Sequence, residues 1–297
     1  MGWLAVRHRS GIGGGLAALA LLSSATSASA APHAVKFALD GRFGQSTAPY
    51  FTAAFPSTSG YGAFLIVAAR IRVAERFQLG LRAPLVLMRV EQPAGALYAE
   101  AAWANPELAA SFEYPWRAGG WTIAAGADLR LGAPLAEHDS AQRAGRALRL
   151  ANALEGFSEP ALFTPGVLPL TPAGSVSLES PRWKLAASLA LPVLFRVSNA
   201  DSPPESHPHR VGFIPVLGLE ARLKLWPWFS VVASPRLTAQ AIAPADDQAG
   251  RIQLLAAGRV EFQLGDHVAL AALLQAPLGG PLGGSTVAAG LGVEGAF

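Results

Sequence analysis

The sequence predicts an all-β protein, a transmembrane antiparallel β-barrel of about twelve strands with short turns at one end and longer loops at the other. Three observations carry this. The chain of 297 residues is 51% hydrophobic but only 14% charged, against roughly 25% charged in ordinary soluble proteins. Its apolar residues alternate with small or polar ones, the period of a strand with one greasy face. The connections between these stretches alternate short and long. A mean hydropathy of +0.32 would suit membrane helices, yet beyond the N-terminus no apolar run reaches the ~18 residues that a helical span needs.

The N-terminus gives the address. Arg7, His8 and Arg9 precede an apolar run from Ile12 to Leu22, and Ala28-Ser29-Ala30 is a small-residue cleavage site. Residues 1–30 therefore read as a secretory signal peptide and 31–297 as the exported barrel. The glycines at 11–15 lack the flanking strand and the Lys-Ser/Thr of a phosphate loop. Taking Arg7 and Arg9 from the 23 basic residues leaves 21 against 20 acidic ones, and no basic run points to nucleic acid. There is no cysteine, which excludes disulfides and thiolate chemistry.

Along the mature chain, strands are expected near 33–42, 60–74, 77–90, 103–115, 120–132, 173–180, 182–197, 210–225, 228–242, 250–264, 267–277 and 285–297. In the eighth, Val211, Phe213, Leu217, Leu219, Leu223 and Leu225 form one face, with Gly218, Glu220, Arg222 and Lys224 on the other. In the last, Val287, Ala289, Leu291 and Val293 oppose Thr286, Gly292 and Glu294. Short connections (74–76, 116–120, 180–182, 226–228, 265–266) alternate with longer ones (43–59, 91–102, 133–172, 198–209, 243–249, 278–284). A chain that starts and finishes in the periplasm then places every short turn there and every long loop outside, as in bacterial outer-membrane barrels. A soluble sandwich needs no such parity. Aromatic residues fall at both ends of the strands: Phe77, Tyr114, Trp116, Trp121, Trp183, Trp226, Trp228, Phe229, Phe262 and Phe297 at the turns, and Tyr61, Tyr98 and Trp103 toward the loops. Amphipathic rings suit the headgroup zone.

The terminal Phe297 on an amphipathic strand resembles the signal that outer-membrane barrels present to their assembly machinery; Gly295 stands where that signal usually has a bulky residue. "WANPELAASFEY" (Trp103–Tyr114) and "FTPGVLPLTP" (Phe163–Pro172), set in this hairpin series, resemble the outer-membrane proteins associated with phenol meta-pathway degradation. That resemblance implies a barrel that passes small aromatic or aliphatic compounds.

In this register the inward residues sort by depth. Arg70, Arg72, Arg82, Glu113, Glu179, Lys184, Glu220, Arg222, Lys224, Arg259, Glu261 and Glu294 lie toward the turns, where mixed signs predict a paired, charged constriction. Farther out come Phe64, Ile66, Val86, Met88, Leu194, Ile214, Val216, Leu255 and Leu273. Of these, Phe64, Ile66, Val86, Met88, Ile214 and Val216 are the candidate lining for a small hydrophobic solute. The same pattern also describes a closed structural barrel filled by its own side chains. Four prolines (Pro84, Pro192, Pro215, Pro235) predict bulges that flip the inward phase beyond them.

Within 133–172, "DSAQRAGRALRLANALEG" predicts one short helix ending at Gly156. It could cap the mouth, fold inward or lie solvated on the surface. No HExxH, GxSxG or carboxylate pair marks catalysis, and His207 and His209 sit in a proline-rich loop. No cofactor, metal or catalytic residue is expected. An outer-membrane lipid-modifying enzyme stays an alternative, without a Ser-His pair to support it. The expected partners are outer-membrane lipid, the assembly machinery and a small hydrophobic solute.

Overall fold

The computed structural model describes residues 35–47, 59–91, 97–136, 143–197, 210–242 and 251–297. The signal peptide, the histidine pair and most of the loops 43–59, 198–209 and 243–249 lie outside these, as does the side chain of Tyr98.

Sixteen ladder segments close one antiparallel sheet. They are β1 (Val35–Ser46), β2 (Ser59–Ala74), β3 (Phe77–Glu91), β4 (Leu97–Trp103), β5 (Glu107–Ala118), β6 (Trp121–Gly132), β7 (Val167–Glu179), β8 (Trp183–Ala190), β9 (Val193–Arg196), β10 (Val211–Phe213), β11 (Val216–Trp226), β12 (Phe229–Ala233), β13 (Arg236–Gln240), β14 (Arg251–Leu264), β15 (Val268–Gly279) and β16 (Thr286–Ala296). The pairs β4/β5, β8/β9, β10/β11 and β12/β13 are each one interrupted strand, so the wall has twelve strands. It closes because β1 pairs with β2 on one side and β16 on the other. Val35 and Phe297 exchange both backbone hydrogen bonds at the seam, at 3.0 and 2.9 Å. Closure removes the edges that would otherwise leave backbone groups unpaired in hydrocarbon.

Two segments extend the wall beyond the expected limits. Leu97–Ala102, expected inside the loop 91–102, joins Trp103 in a segment that pairs with the far end of β3, so this hairpin rises higher. β7 begins at Val167 rather than 173 and tolerates Pro169 and Pro172 within it.

The prolines act differently from expectation. β7 pairs with β8 through Glu179↔Lys184 and with β9 through Pro169↔Leu194, which is one register on both sides of Pro192. The same holds across Pro235 and, against β8 and β9, across Pro215, while on the other side the bridge Phe213↔Ile242 is one residue out of the β11/β13 register. Each proline drops one donor and interrupts the ladder, but adds no residue, so inward residues stay inward. Their carbonyls remain in use: Ile214 N–H donates to Pro192, Ala239 N–H to Pro215 and Leu219 N–H to Pro235. A real phase change occurs beside Pro84. Arg82 faces Glu107 and Leu85 faces Trp103, so two residues of β3 oppose the three from Ala104 to Pro106. This bulge turns both Ala102 and Glu107 inward, though they differ in parity.

The outer face is apolar around the circumference. Leu39, Val67, Leu87, Leu108, Leu129, Leu185, Leu219, Leu274 and Leu291 are all exposed. Exposed greasy surface on this scale belongs against lipid tails. At the turn end, Trp226 stacks on Trp228 at 5.7 Å, Phe229 meets Phe262 at 5.1 Å, and Arg76 lies 4.3 Å over the Tyr114 ring.

Candidate functional site

The lumen is occupied by the chain itself. Helix α1 (Arg143–Leu154), a turn at 155–159 and the one-turn helix α2 (Pro160–Phe163) run inside the wall. Of the three placements open to this segment, it takes the inward one. Ala147, Leu148, Leu150, Ala151 and Leu154 are buried in one cluster with Phe64, Ile66, Val86, Met88, Ala102 and Ala288. The wall is thinned to admit them: a Cβ on Gly62 would lie 2.6 Å from Leu150 Cδ2. Phe163 meets Phe64 edge-to-face at 5.2 Å. The apolar residues expected to line a pocket therefore do face inward, but Phe64, Ile66, Val86 and Met88 pack against this plug. Ile214, with Leu194, packs under Ala161 and Val167, and Val216 is buried beside a small polar cavity of about 150 Å³.

The helix ends by a Schellman cap. Gly156 takes φ +63°; its N–H donates to Ala153 O, and Phe157 N–H donates to Asn152 O, both at 2.9 Å. This cap turns the chain so that Glu155 and Glu159 meet the wall. Arg42 donates to Glu155 at 2.6 Å, to Gln275 at 2.8 Å and to Asp40 at 2.9 Å. Gln275 in turn donates to Leu154 O. Arg82 bridges Glu107 at 3.0 Å and Glu159 at 3.1 Å, with Arg130 3.7 Å from Glu159. Arg236 donates to Ser158 Oγ at 2.8 Å. Asn105, the residue in the Pro84 bulge, donates to Ala161 O at 3.1 Å and Thr164 O at 2.7 Å, and accepts from Ala136 N–H at 3.1 Å. Burial works against ionisation of Glu159, but Arg82, Arg130 and Arg236 outweigh it and hold its carboxyl at about 2. For Glu155 burial dominates over Arg42 and Arg236, and its carboxyl is pushed up.

Toward the turns the lumen is polar and open. Arg222 and Arg259 cross-pair with Glu220 and Glu261 at 2.7 to 3.5 Å. They face a cavity of about 470 Å³, also lined by Lys184, Lys224 and Glu294. A second cavity of about 400 Å³ is lined by Lys36, Arg70, Arg82 and Glu294. The twelve charges expected to form one constriction thus divide, with Glu179 and Lys184 lining the cavity of about 470 Å³. Glu220, Arg222, Arg259 and Glu261 form a quartet, and Arg82 belongs to the plug seat. Arg70, Arg72, Glu113, Lys224 and Glu294 are exposed without ion pairs among the described residues. Among the described residues, what fills the lumen above these cavities is the plug.

Sequence reasoning missed Arg42, Asn105, Glu107, Arg130, Glu155, Glu159, Arg236 and Gln275. The available signal was the pair of glutamates just after the α1 pattern, together with arginines at inward-phase, mid-strand positions. Of the histidines, His267 is the described one, and it lies at the turn end against Ala296 O and the Phe297 ring.

Comparison with solved structures finds the same architecture in an outer membrane channel from Pseudomonas putida F1. The TM-score is 0.61 at 13% identity, covering 90% of this chain and 97% of that one. The chain is folded as an outer-membrane β-barrel. The transport unit of the autotransporter AIDA-I from Escherichia coli also matches, with a TM-score of 0.51 at 10% identity over 95% of this chain and 97% of that one. No protein-family model and no curated protein matches. At these identities the likeness is one of fold, and the barrel's chemistry has to be argued from its own lumen.

Proposed function

We propose that this barrel is a passive transporter for small hydrophobic compounds in the bacterial outer membrane. Its turns face the periplasm, its exposed belt contacts outer-membrane lipid, and its last strand, ending in Phe297, is read by the barrel-assembly machinery. The observation that carries the transport reading is the way the lumen is filled. A small structural barrel fills itself with wall side chains. Here an apolar seat on the wall is covered by a separate segment, and that segment is latched at one end by ionic contacts that can exchange for others. Water-accessible space already reaches the underside of the latch from the turn end. Displacing the plug would leave an apolar surface, from Phe64 to Met88, that favours a hydrophobic solute over water.

Two measurements test this. In planar bilayers the resting protein should show no large steady conductance, since the plug closes it, and cells lacking it should take up hydrophobic solutes more slowly. Porin-like conductance at rest, or unchanged uptake once redundant routes are removed, would refute the reading. Ile66→Asp sets a carboxylate into the seat opposite Asp40 and should weaken solute binding while the barrel still folds.

A further inference from the structure

The plug is a resident ligand, and its chemistry describes what its seat accepts. Four arginines of the wall converge there: Arg42, Arg82, Arg130 and Arg236. The wall supplies two carboxylates against them, Asp40 and Glu107. The balance comes from the plug, through Glu155 on Arg42 and Glu159 on Arg82 and Arg130. When the plug leaves, the wall keeps two cations in excess inside a narrow lumen. Charge left unpaired there is strongly unfavourable. Next to it lies the apolar surface that covered Leu148, Leu150 and Leu154, and Arg42 already lies 5.8 Å over the Phe64 ring at the boundary.

We propose that the vacated seat binds an amphiphile with an apolar body and a carboxylate head, which competes with Glu155 and Glu159 for the wall arginines. This rests on the transporter reading and narrows its substrate class. A neutral hydrocarbon would displace the plug's leucines but leave the arginines bare. A cationic amphiphile would add to the excess. A carboxylate replaces both parts of the plug at once, so plug release and solute capture become one exchange.

The test uses the full mature chain in a non-ionic detergent with three probes of equal chain length: dodecanoate, dodecanol and dodecylammonium. Equilibrium binding should favour dodecanoate over dodecanol by about tenfold or more, the ratio expected of charge-assisted hydrogen bonds, with dodecylammonium weakest. Glu155→Gln with Glu159→Gln frees the arginines and should tighten dodecanoate binding further without the same gain for dodecanol. Arg236→Gln should reduce the preference for dodecanoate. The faster migration of the unheated protein on gels reports that each variant has folded, and the three-probe comparison on the unaltered protein needs no variant. Equal binding of dodecanoate and dodecanol, or preference for the ammonium, overturns the carboxylate proposal and leaves the transporter reading standing. Binding of none of the three overturns both.

Discussion

Glu159 concentrates the electrostatics of the plug in one side chain. Its carboxyl is held at about 2 against an ordinary 4.5 because three arginines outweigh its burial. A group whose folded value is depressed stabilises the folded form above its unfolded value, and that contribution is lost as pH falls through the folded one. Plug docking should therefore weaken between pH 4.5 and about 2. Glu155 acts in the opposite sense: burial raises it, so its contribution is present at low pH and is lost as pH rises through its folded value. At neutral pH, Glu159→Gln should thus loosen the plug more than Glu155→Gln. The ordering follows because arginines hold Glu159 ionised, whereas burial works against the charged form of Glu155. Amide exchange across residues 147–154 at pH 7, with an acid titration of both variants, measures this. An acid response that persists in Glu159→Gln would move the effect to another group.

At the scale of elements, the plug depends on how α1 ends. Gly156 is in the left-handed region, and an added Cβ would come within 2.8 Å of Leu255. Gly156→Ala should cost about 1–2 kcal/mol, read as faster amide exchange in α1 with the barrel's heat-modifiable migration unchanged. A variant as protected as the parent would show that the cap does not hold the plug. The existence of α1 and its end near Gly156 were legible, because capping is local chemistry. Its destination was not. Leu148, Leu150 and Leu154 would serve equally on a surface helix leaning on a loop, and the partners that decide, Arg42 and Gln275, are more than a hundred residues away in sequence. The wall strands were legible because one face must meet lipid along their whole length. β4 was not, since the alternation of Leu97–Trp103 is diluted by alanine. Proline was over-read: it removes a hydrogen bond, which the sequence shows, whereas a phase change needs an extra residue, which only the register across two strands reveals.

For the whole molecule, the wall and the plug have separable foundations. The wall is closed by ladder hydrogen bonds from β1 around to β16, and among the described residues no strand takes a backbone partner from α1. The plug contributes the filling of the lumen and two of the carboxylates at the arginine seat. Replacing residues 143–163 by a short Gly-Ser linker should therefore leave a barrel that still inserts in the membrane and still migrates faster unheated. Its melting temperature should drop, because four arginines would face two carboxylates. With the apolar cluster gone, the polar cavities below would open to the loop end, and bilayers that were silent should show steady conductance. The excess of wall cations makes that current anion-selective, and adding Arg42→Gln should reduce the selectivity. A shortened protein that fails to close, with no heat-modifiable form recovered under several refolding conditions, would make the plug the core of a structural barrel. A shortened protein that folds and stays silent would place the barrier in the quartet of Glu220, Arg222, Arg259 and Glu261 instead.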